Sequence, residues 1–188
     1  MKNLNQYISE KLVLKKNMPG INGEKTLFPK TKRELVEMIR SEVEKTGDWA
    51  CSLNHIDVSK IYDLQHLFSA GINGNGLEMF RGDISGWDVS KAKNMMYMFY
   101  GSFFNGDISE WDVSNVESMY GMFLDAIHFN QPIGDWNVKN VRNMYKMFFN
   151  AEKFDQDLTK WDIQQNCSIQ DMFTDCPIKD NNKPYGVK

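Results

Sequence analysis

"FNGDISEWDVSNVESMYGMF", residues 104–123, contains the pattern from which the rest of the sequence can be read. Trp111 stands seven residues after Phe104 and twelve residues before Phe123. The same arrangement recurs around four of the five Trp residues, which are separated by 24, 25 and 25 residues: Trp87, Trp111, Trp136 and Trp161. A recurrence at this period predicts a fold built from similar repeated units.

A divergent copy of the unit precedes the four that contain Trp. It has Ile56 in place of the Trp, and Leu67 and Phe68 in place of the Met-Phe pair that ends the pattern. The stretch 69–78 is rich in Gly and Asn, which is typical of a loop inserted before the next copy. We therefore predict five units.

Each unit is predicted to contain one strand and one helix. The segment "DISEWDV" has apolar residues at Trp111 and Val113, which is typical of a short strand near a turn. Ser114 and Glu117 then have the spacing of a capping box, and apolar residues recur at helical intervals after them. Repetition of this unit predicts an α/β repeat fold, a short leucine-rich-repeat-like solenoid of five strand-helix units with a parallel sheet.

An N-terminal capping helix is expected before the repeats, because a terminal unit would otherwise expose its apolar face. Thr31 and Glu34 have capping-box spacing, and Gly47 stands where the helix should end. The predicted organisation is an N-terminal segment and linker over 1–29, a capping helix over 30–49, the repeats over 50–176 and a polar tail over 177–188.

The repeat resembles a known family. The pattern FNxDISxWDVSNVxxMxxMF is similar to the bacterial surface protein repeat of about 25 residues. That repeat occurs in mycoplasma lipoproteins, in BspA-like leucine-rich-repeat proteins and in some phage-encoded proteins. The resemblance covers roughly residues 50–176. It implies a solenoid with an interaction role, and it does not imply a catalytic activity. The sequence of the N-terminal segment also resembles that of some phage virion-associated proteins.

Composition and charge argue against several classes of protein. The chain of 188 residues has 22 Lys and Arg against 25 Asp and Glu, so its net charge of −3 predicts no nucleic-acid or membrane-surface partner. We expect no membrane span and no signal peptide, and hence a cytoplasmic or virion-associated protein. The three cysteines indicate a reducing compartment, although a pairing of Cys167 with Cys176 stays open.

Two series of side chains around the Trp residues admit two interpretations. Carboxylates on successive coils could bind calcium. We favour the alternative that each caps a turn or a helix N-terminus through backbone N–H groups, because Asn137 takes one such position without a charge. The series are Asp57, Asp88, Asp112, Asn137 and Asp162 after the Trp position, and Asp83, Asp107 and Asp157 before it.

The predicted helices supply both a core and a candidate functional face. Most of their Met residues lie inside the apolar arc and are interpreted as core. Tyr and Phe at the edge of the arc are typical of protein-recognition surfaces, with packing between repeats as the alternative. The candidate protein-binding residues are Met96, Tyr100, Tyr120, Leu124, Tyr145 and Phe149.

No catalytic, cofactor or metal site is recognisable, since the His and Cys residues match no zinc-ligand spacing and no phosphate-binding loop is present. We predict a non-enzymatic repeat protein that presents a rigid surface for protein-protein interaction and uses no cofactor. The alternative is a structural or accessory component of a larger particle, such as a phage virion, docked through residues 1–18. An enzyme is the third hypothesis.

Overall fold

The computed structural model describes residues 24–71 and 73–187, and regular secondary structure is sparse in them. One α-helix, α1, spans Lys32–Thr46, and one 3₁₀ helix spans Asp180–Asn182. The other described residues form turns and loops joined by six isolated parallel bridges, such as Asn94 with Ser118. The prediction of five strand-helix units with a parallel sheet is therefore wrong, because the described residues contain neither a sheet nor a helix within the repeats.

The helix α1 forms where the sequence predicts it. The Thr31 side chain accepts a hydrogen bond from the Glu34 N–H at 3.2 Å, and the Glu34 carboxylate accepts one from the Lys30 N–H at 2.8 Å. Gly47 ends the helix with a φ of 64° and donates its N–H to the Val43 carbonyl. The apolar residues that α1 contributes to the common core are Leu35, Val36, Ile39 and Val43.

Each repeat contains an eight-residue turn segment that lies beside the equivalent segment of the next repeat. Alternate N–H groups of one segment donate to carbonyls of the next, as from Tyr97 to Tyr120 at 2.8 Å and from Gly121 to Tyr145 at 2.9 Å. Other N–H groups donate three residues back within the segment, as from Met122 to Met119. The turn segments are residues 63–70, 94–101, 118–125, 143–150 and 168–175.

The turn segments explain why the sequence looks helical. A hydrogen bond from an N–H to the carbonyl of the residue three positions earlier brings the side chains of these two residues close together. Residues three apart are also close in a helix. The fourth residue of every segment, however, has a φ of 54° or 55°, which interrupts a right-handed helix. These residues are His66, Tyr97, Gly121, Lys146 and Asp171.

The local elements predicted around Trp111 are turns as well. Its N–H donates to the Ile108 carbonyl at 3.2 Å, which closes a turn where a strand was expected. Ser114 caps no helix, since its own N–H donates to the Asp112 carboxylate at 3.0 Å. The Glu117 carboxylate lies 3.4 Å from the Lys93 ammonium of the preceding repeat and closes no capping box.

Equivalent Phe rings stack along the core from repeat to repeat. Successive centroids are 5.5–5.6 Å apart and the ring planes differ by at most 10°. The rings belong to Phe68, Phe99, Phe123, Phe148 and Phe173. The interpretation of the Met residues as core is confirmed for those that are at most 2 % exposed: Met95, Met98, Met119, Met122, Met144, Met147 and Met172.

The Trp side chains form hydrogen bonds that connect each repeat to the preceding one. The indole Nε1–H of Trp111 donates to the Ile84 carbonyl at 3.2 Å, and the indole itself is 3 % exposed. The other three repeat Trp residues donate to Leu53, Ile108 and Ile133 in the same way, at 3.0 or 3.1 Å. Each Trp therefore combines aromatic packing with a buried hydrogen bond between repeats.

We expect Trp111→Phe to lower the free energy of unfolding by about 0.5–1.5 kcal/mol, because the Ile84 carbonyl loses one of its two donors and keeps the Trp87 N–H at 3.1 Å. Urea denaturation of the full chain measures the loss. Trp49→Phe is the matched control, since Trp49 lies outside the repeat series. An equal loss in both variants would show that the bond between repeats contributes nothing specific.

We expect Gly121→Ala to destabilise the protein for two separable reasons. Its φ of 55° costs Ala about 1–2 kcal/mol, and a Cβ there would lie 2.5 Å from Tyr97 Cε1. Gly47→Ala isolates the first cost, because a Cβ at Gly47 meets nothing within 4 Å. Thermal unfolding measures the loss of unfolding free energy. In a Tyr97→Ala background, the loss caused by Gly121→Ala should fall to the loss caused by Gly47→Ala. An unchanged cost in that background would contradict the contact with Tyr97.

Candidate functional site

Four ring side chains form a continuous row on the turn segments, which we call the aromatic ladder: His66, Tyr97, Tyr120 and Tyr145. The His66 and Tyr97 rings stack with centroids 5.0 Å apart, and the Tyr97 and Tyr120 rings meet edge to face at 4.8 Å. The Tyr120 and Tyr145 rings stack at 5.2 Å. All four side chains are half-buried, so the row packs against itself and still reaches the surface.

The backbone positions the ladder by changing register within it. Tyr120 and Tyr145 are the third residues of their turn segments, whereas His66 and Tyr97 are the fourth residues and have a positive φ. The ladder can pass from the fourth position of one segment to the third position of the next because Gly121, the fourth residue of the next segment, has no side chain where the Tyr97 ring lies. The rings can therefore form one row although they come from two positions of the repeat.

The structure brings several of the predicted binding residues together. Tyr120 and Tyr145 lie inside the ladder, and the Tyr100 ring meets the Tyr97 ring at 5.6 Å. The Lys146 ammonium lies 4.9 Å from the Phe149 centroid and 5.4 Å from that of Tyr145. The remaining two candidates, Met96 and Leu124, are half-buried on the same turn segments. That these residues bind a protein stays a prediction.

Sequence reasoning missed Tyr97, which occupies the centre of the ladder. A helical projection places its position on the polar face, together with Gly121 and Lys146. A usable signal was the pairing of a large residue with a Gly at equivalent positions of adjacent repeats. Sequence reasoning also missed Phe103, which is 44 % exposed and lies 5.2 Å from the His128 ring.

The side chains that flank the Trp residues cap turns, as we interpreted them. Seven of the eight accept a hydrogen bond from the N–H two residues later, at 2.9–3.3 Å, whereas Asp162, within the described part of the chain, accepts only through its backbone carbonyl, from the Gln164 amide. The pairs are Asp57–Ser59, Asp83–Ser85, Asp88–Ser90, Asp107–Ser109, Asp112–Ser114, Asn137–Lys139 and Asp157–Thr159. Hydrogen bonds from Ser114 hold the pKa of the Asp112 carboxyl below its usual value. Among the described residues no group of three or more His, Cys, Asp or Glu side chains is arranged to hold a metal ion.

The sequence of the repeats matches the model of a known protein family. The family described as "Mycoplasma protein of unknown function, DUF285" matches residues 34–103 and 75–185. The chain belongs to the DUF285 family. This membership agrees with the resemblance to mycoplasma-type repeats, and the DUF285 description assigns no function. Comparison with curated proteins and with solved structures gave no match.

The structure adds two negative observations about this DUF285 chain. No helix within residues 24–71 and 73–187 is long and apolar enough to cross a membrane. Cys51, Cys167 and Cys176 are all free, so the pairing of Cys167 with Cys176 that the sequence left open is not formed.

Burial at the ladder shifts the pKa of two of its members. The pKa of the Tyr97 phenol is raised far above its usual value, first by burial and then by the neighbouring Tyr120 hydroxyl. The pKa of His66 is lowered, first by burial and then by the nearby Lys32 ammonium. Both effects favour uncharged rings, which is the form that stacks without desolvating a charge.

One Ser-His pair in this DUF285 chain resembles a catalytic pair by distance only. His66 Nδ1 lies 3.1 Å from Ser69 Oγ, but Ser69 is fully buried and its hydroxyl also approaches the His66 carbonyl at 3.3 Å. A substrate cannot reach a hydroxyl in that position. We therefore assign the pair to the turn that holds His66 in the ladder.

Alkaline pH tests the burial of Tyr97. An unfolded Tyr ionises near its usual pKa of about 10, whereas folded Tyr97 stays protonated at higher pH. The contribution of Tyr97 to stability is therefore complete below about pH 10 and is lost as the pH rises further. Urea unfolding from about pH 9 to 11 should show a shallower decline for Tyr97→Phe than for the unchanged chain. Tyr185→Phe is the control, because Tyr185 is fully exposed; equal slopes in both variants would refute the assignment.

Proposed function

We propose that this protein is a non-enzymatic repeat protein that binds a protein partner through the aromatic ladder and the side chains beside it. The observation that carries the proposal is the continuous row of Tyr97, Tyr120 and Tyr145 across three adjacent repeats. Tyr is enriched in protein interfaces because one side chain offers a large apolar ring and a polar hydroxyl.

Preorganisation of the surface supports this role. The backbone under each ladder ring is hydrogen-bonded to a neighbouring repeat, as with the Tyr97 N–H to the Tyr120 carbonyl and the Gly121 N–H to the Tyr145 carbonyl. The rings also restrain one another through their stacking. Binding would therefore order few groups that are mobile in the free protein, which reduces the entropic cost of association.

Charge and shape indicate the kind of partner. Lys146 lies beside Tyr145 and Phe149 at the far end of the row, which places one cation next to aromatic surface. A complementary partner would offer an apolar side chain to the rings and a carboxylate to Lys146. The alternative role in a larger particle depends on residues 1–18, which lie outside the described residues.

The test compares two double Tyr→Ala variants in a pull-down from the native host or particle. Tyr120→Ala/Tyr145→Ala should reduce capture of the partner at least tenfold, because truncation of two central aromatic residues removes the main contacts. Tyr62→Ala/Tyr185→Ala is the matched control, because these tyrosines are 56 % and 100 % exposed outside the ladder. Equal capture by both variants would exclude the ladder as the binding surface.

A further inference from the structure

Most hydrogen bonds between adjacent turn segments run in one direction. The exception at each interface runs from the first N–H of a segment, or the N–H just before it, to the carbonyl that precedes the previous segment, as from Ser118 to Lys93 at 3.3 Å. At all four interfaces the second, fourth, sixth and eighth N–H groups of one segment donate to the next repeat, with N···O distances of 2.7–3.1 Å. The acceptors are the first, third, fifth and seventh carbonyls of that repeat. An ordinary strand edge differs, because it exposes both N–H and C=O groups. The outer edges of this row of segments therefore differ in polarity: the first edge presents carbonyls and the last presents N–H groups.

Donors from side chains cover two of the four outward carbonyls of the first edge, those of Gln65 and Leu67. The Lys32 ammonium, on α1, donates to the Gln65 carbonyl at 3.2 Å. The Asn75 amide, in the inserted loop, donates to the His66 and Leu67 carbonyls at 2.8 and 3.3 Å. Side-chain donors thus take two of the four positions that the N–H groups of an earlier repeat would otherwise fill.

The N–H edge has no equivalent cover among the described residues. Its four N–H groups belong to Ile169, Asp171, Phe173 and Asp175, and none has an acceptor within residues 24–71 and 73–187. The equivalent groups one repeat earlier all donate: Met144, Lys146, Phe148 and Asn150. Asp171 and Asp175 have φ of 55° and 56°, so the last segment keeps the backbone conformation of the interior ones and its N–H groups keep their direction.

Apolar surface is left open beside the N–H edge. Ile163 and Ile169 are only partly buried, whereas the residues one repeat earlier, Val138 and Met144, are 1 % and 0 % exposed. A groove of about 640 Å³ is lined by both Ile residues and by Val187 of the tail. A segment that added to this edge would gain hydrogen bonds and bury apolar side chains together.

We propose that the N–H edge of the last turn segment is a docking site for a repeat of the same kind in another protein, one whose carbonyl edge is uncovered. Such a repeat offers carbonyls on one side only, at the spacing that the four N–H groups require. A second copy of this chain fits poorly, because Lys32 and Asn75 already occupy two of its four edge carbonyls and two N–H edges offer no acceptor to each other. A free anion fits poorly as well, because the Asp171 and Asp175 carboxylates belong to the same edge. The site is separate from the aromatic ladder and does not depend on the function proposed for it.

The probe is a synthetic peptide of residues 136–152, which contains one complete turn segment. It is titrated into the full chain labelled with ¹⁵N, to about 1 mM, and the backbone amides are followed by NMR. We expect saturable shifts and at least tenfold slower hydrogen exchange at Ile169, Asp171, Phe173 and Asp175. The chemical shifts and exchange rates of the equivalent interior amides should not change. These amides belong to Met144, Lys146, Phe148 and Asn150. A peptide of the same composition in scrambled order should have no effect.

Two variants separate the possible outcomes. Ile169→Asp should abolish the response while the interior amides keep their exchange rates, which shows that the variant is folded. Tyr120→Ala/Tyr145→Ala should leave the response intact, since the ladder lies elsewhere. The proposal is overturned if the peptide causes no shifts, or if the ladder variant abolishes them. Slow exchange at the four amides in the free chain would also overturn it, because the edge would already be covered by residues 1–23 or, if sedimentation shows a dimer, by a second copy.

Discussion

The hydrogen bonds from the N–H groups of one turn segment to the carbonyls of the next are the constraint on which the described fold depends. Four of the eight N–H groups of a turn segment do not donate to the next segment, and two of these four, the fifth and the seventh, donate to the carbonyl three residues earlier. The other half must find acceptors in a neighbour, as Tyr97 does in Tyr120 and Gly121 does in Tyr145. Repeats therefore stabilise one another, and a single repeat would leave its polar backbone groups unpaired.

The spacing that these bonds impose determines how the side chains pack. Phe68 and Phe99 stack inside the core at 5.5 Å, and Tyr120 and Tyr145 stack at the surface at 5.2 Å. The same backbone repeat thus produces a buried aromatic column that stabilises the fold and a partly exposed one that is available for recognition. Turn-capping side chains such as Asp112 hold the connections between these columns without any sheet.

Regular features of the sequence predicted much of this correctly. The period of the Trp residues, the two ends of α1 at Thr31 and Gly47, the turn-capping Asp residues and the buried Met residues all follow from local chemistry or from counting. The same reasoning failed for the repeats themselves, because apolar residues three and four apart satisfy a helix and a series of tight turns equally well. Tyr97 was missed for this reason, since it lies on the polar side of a helix that does not exist.

By itself the sequence determined that this protein is made of repeats, which residues of each repeat are buried, and where the preceding helix begins and ends, because periodicity, hydrophobicity and capping act over short distances. Only the tertiary structure decided that the repeats consist of turns. A left-handed residue such as Tyr97 or Lys146 has an intrinsic cost, and bonds to the adjacent repeats are what offset it. The prevailing direction of those bonds, and with it the contrast between a partly covered carbonyl edge and an open N–H edge, arises only when whole repeats lie side by side.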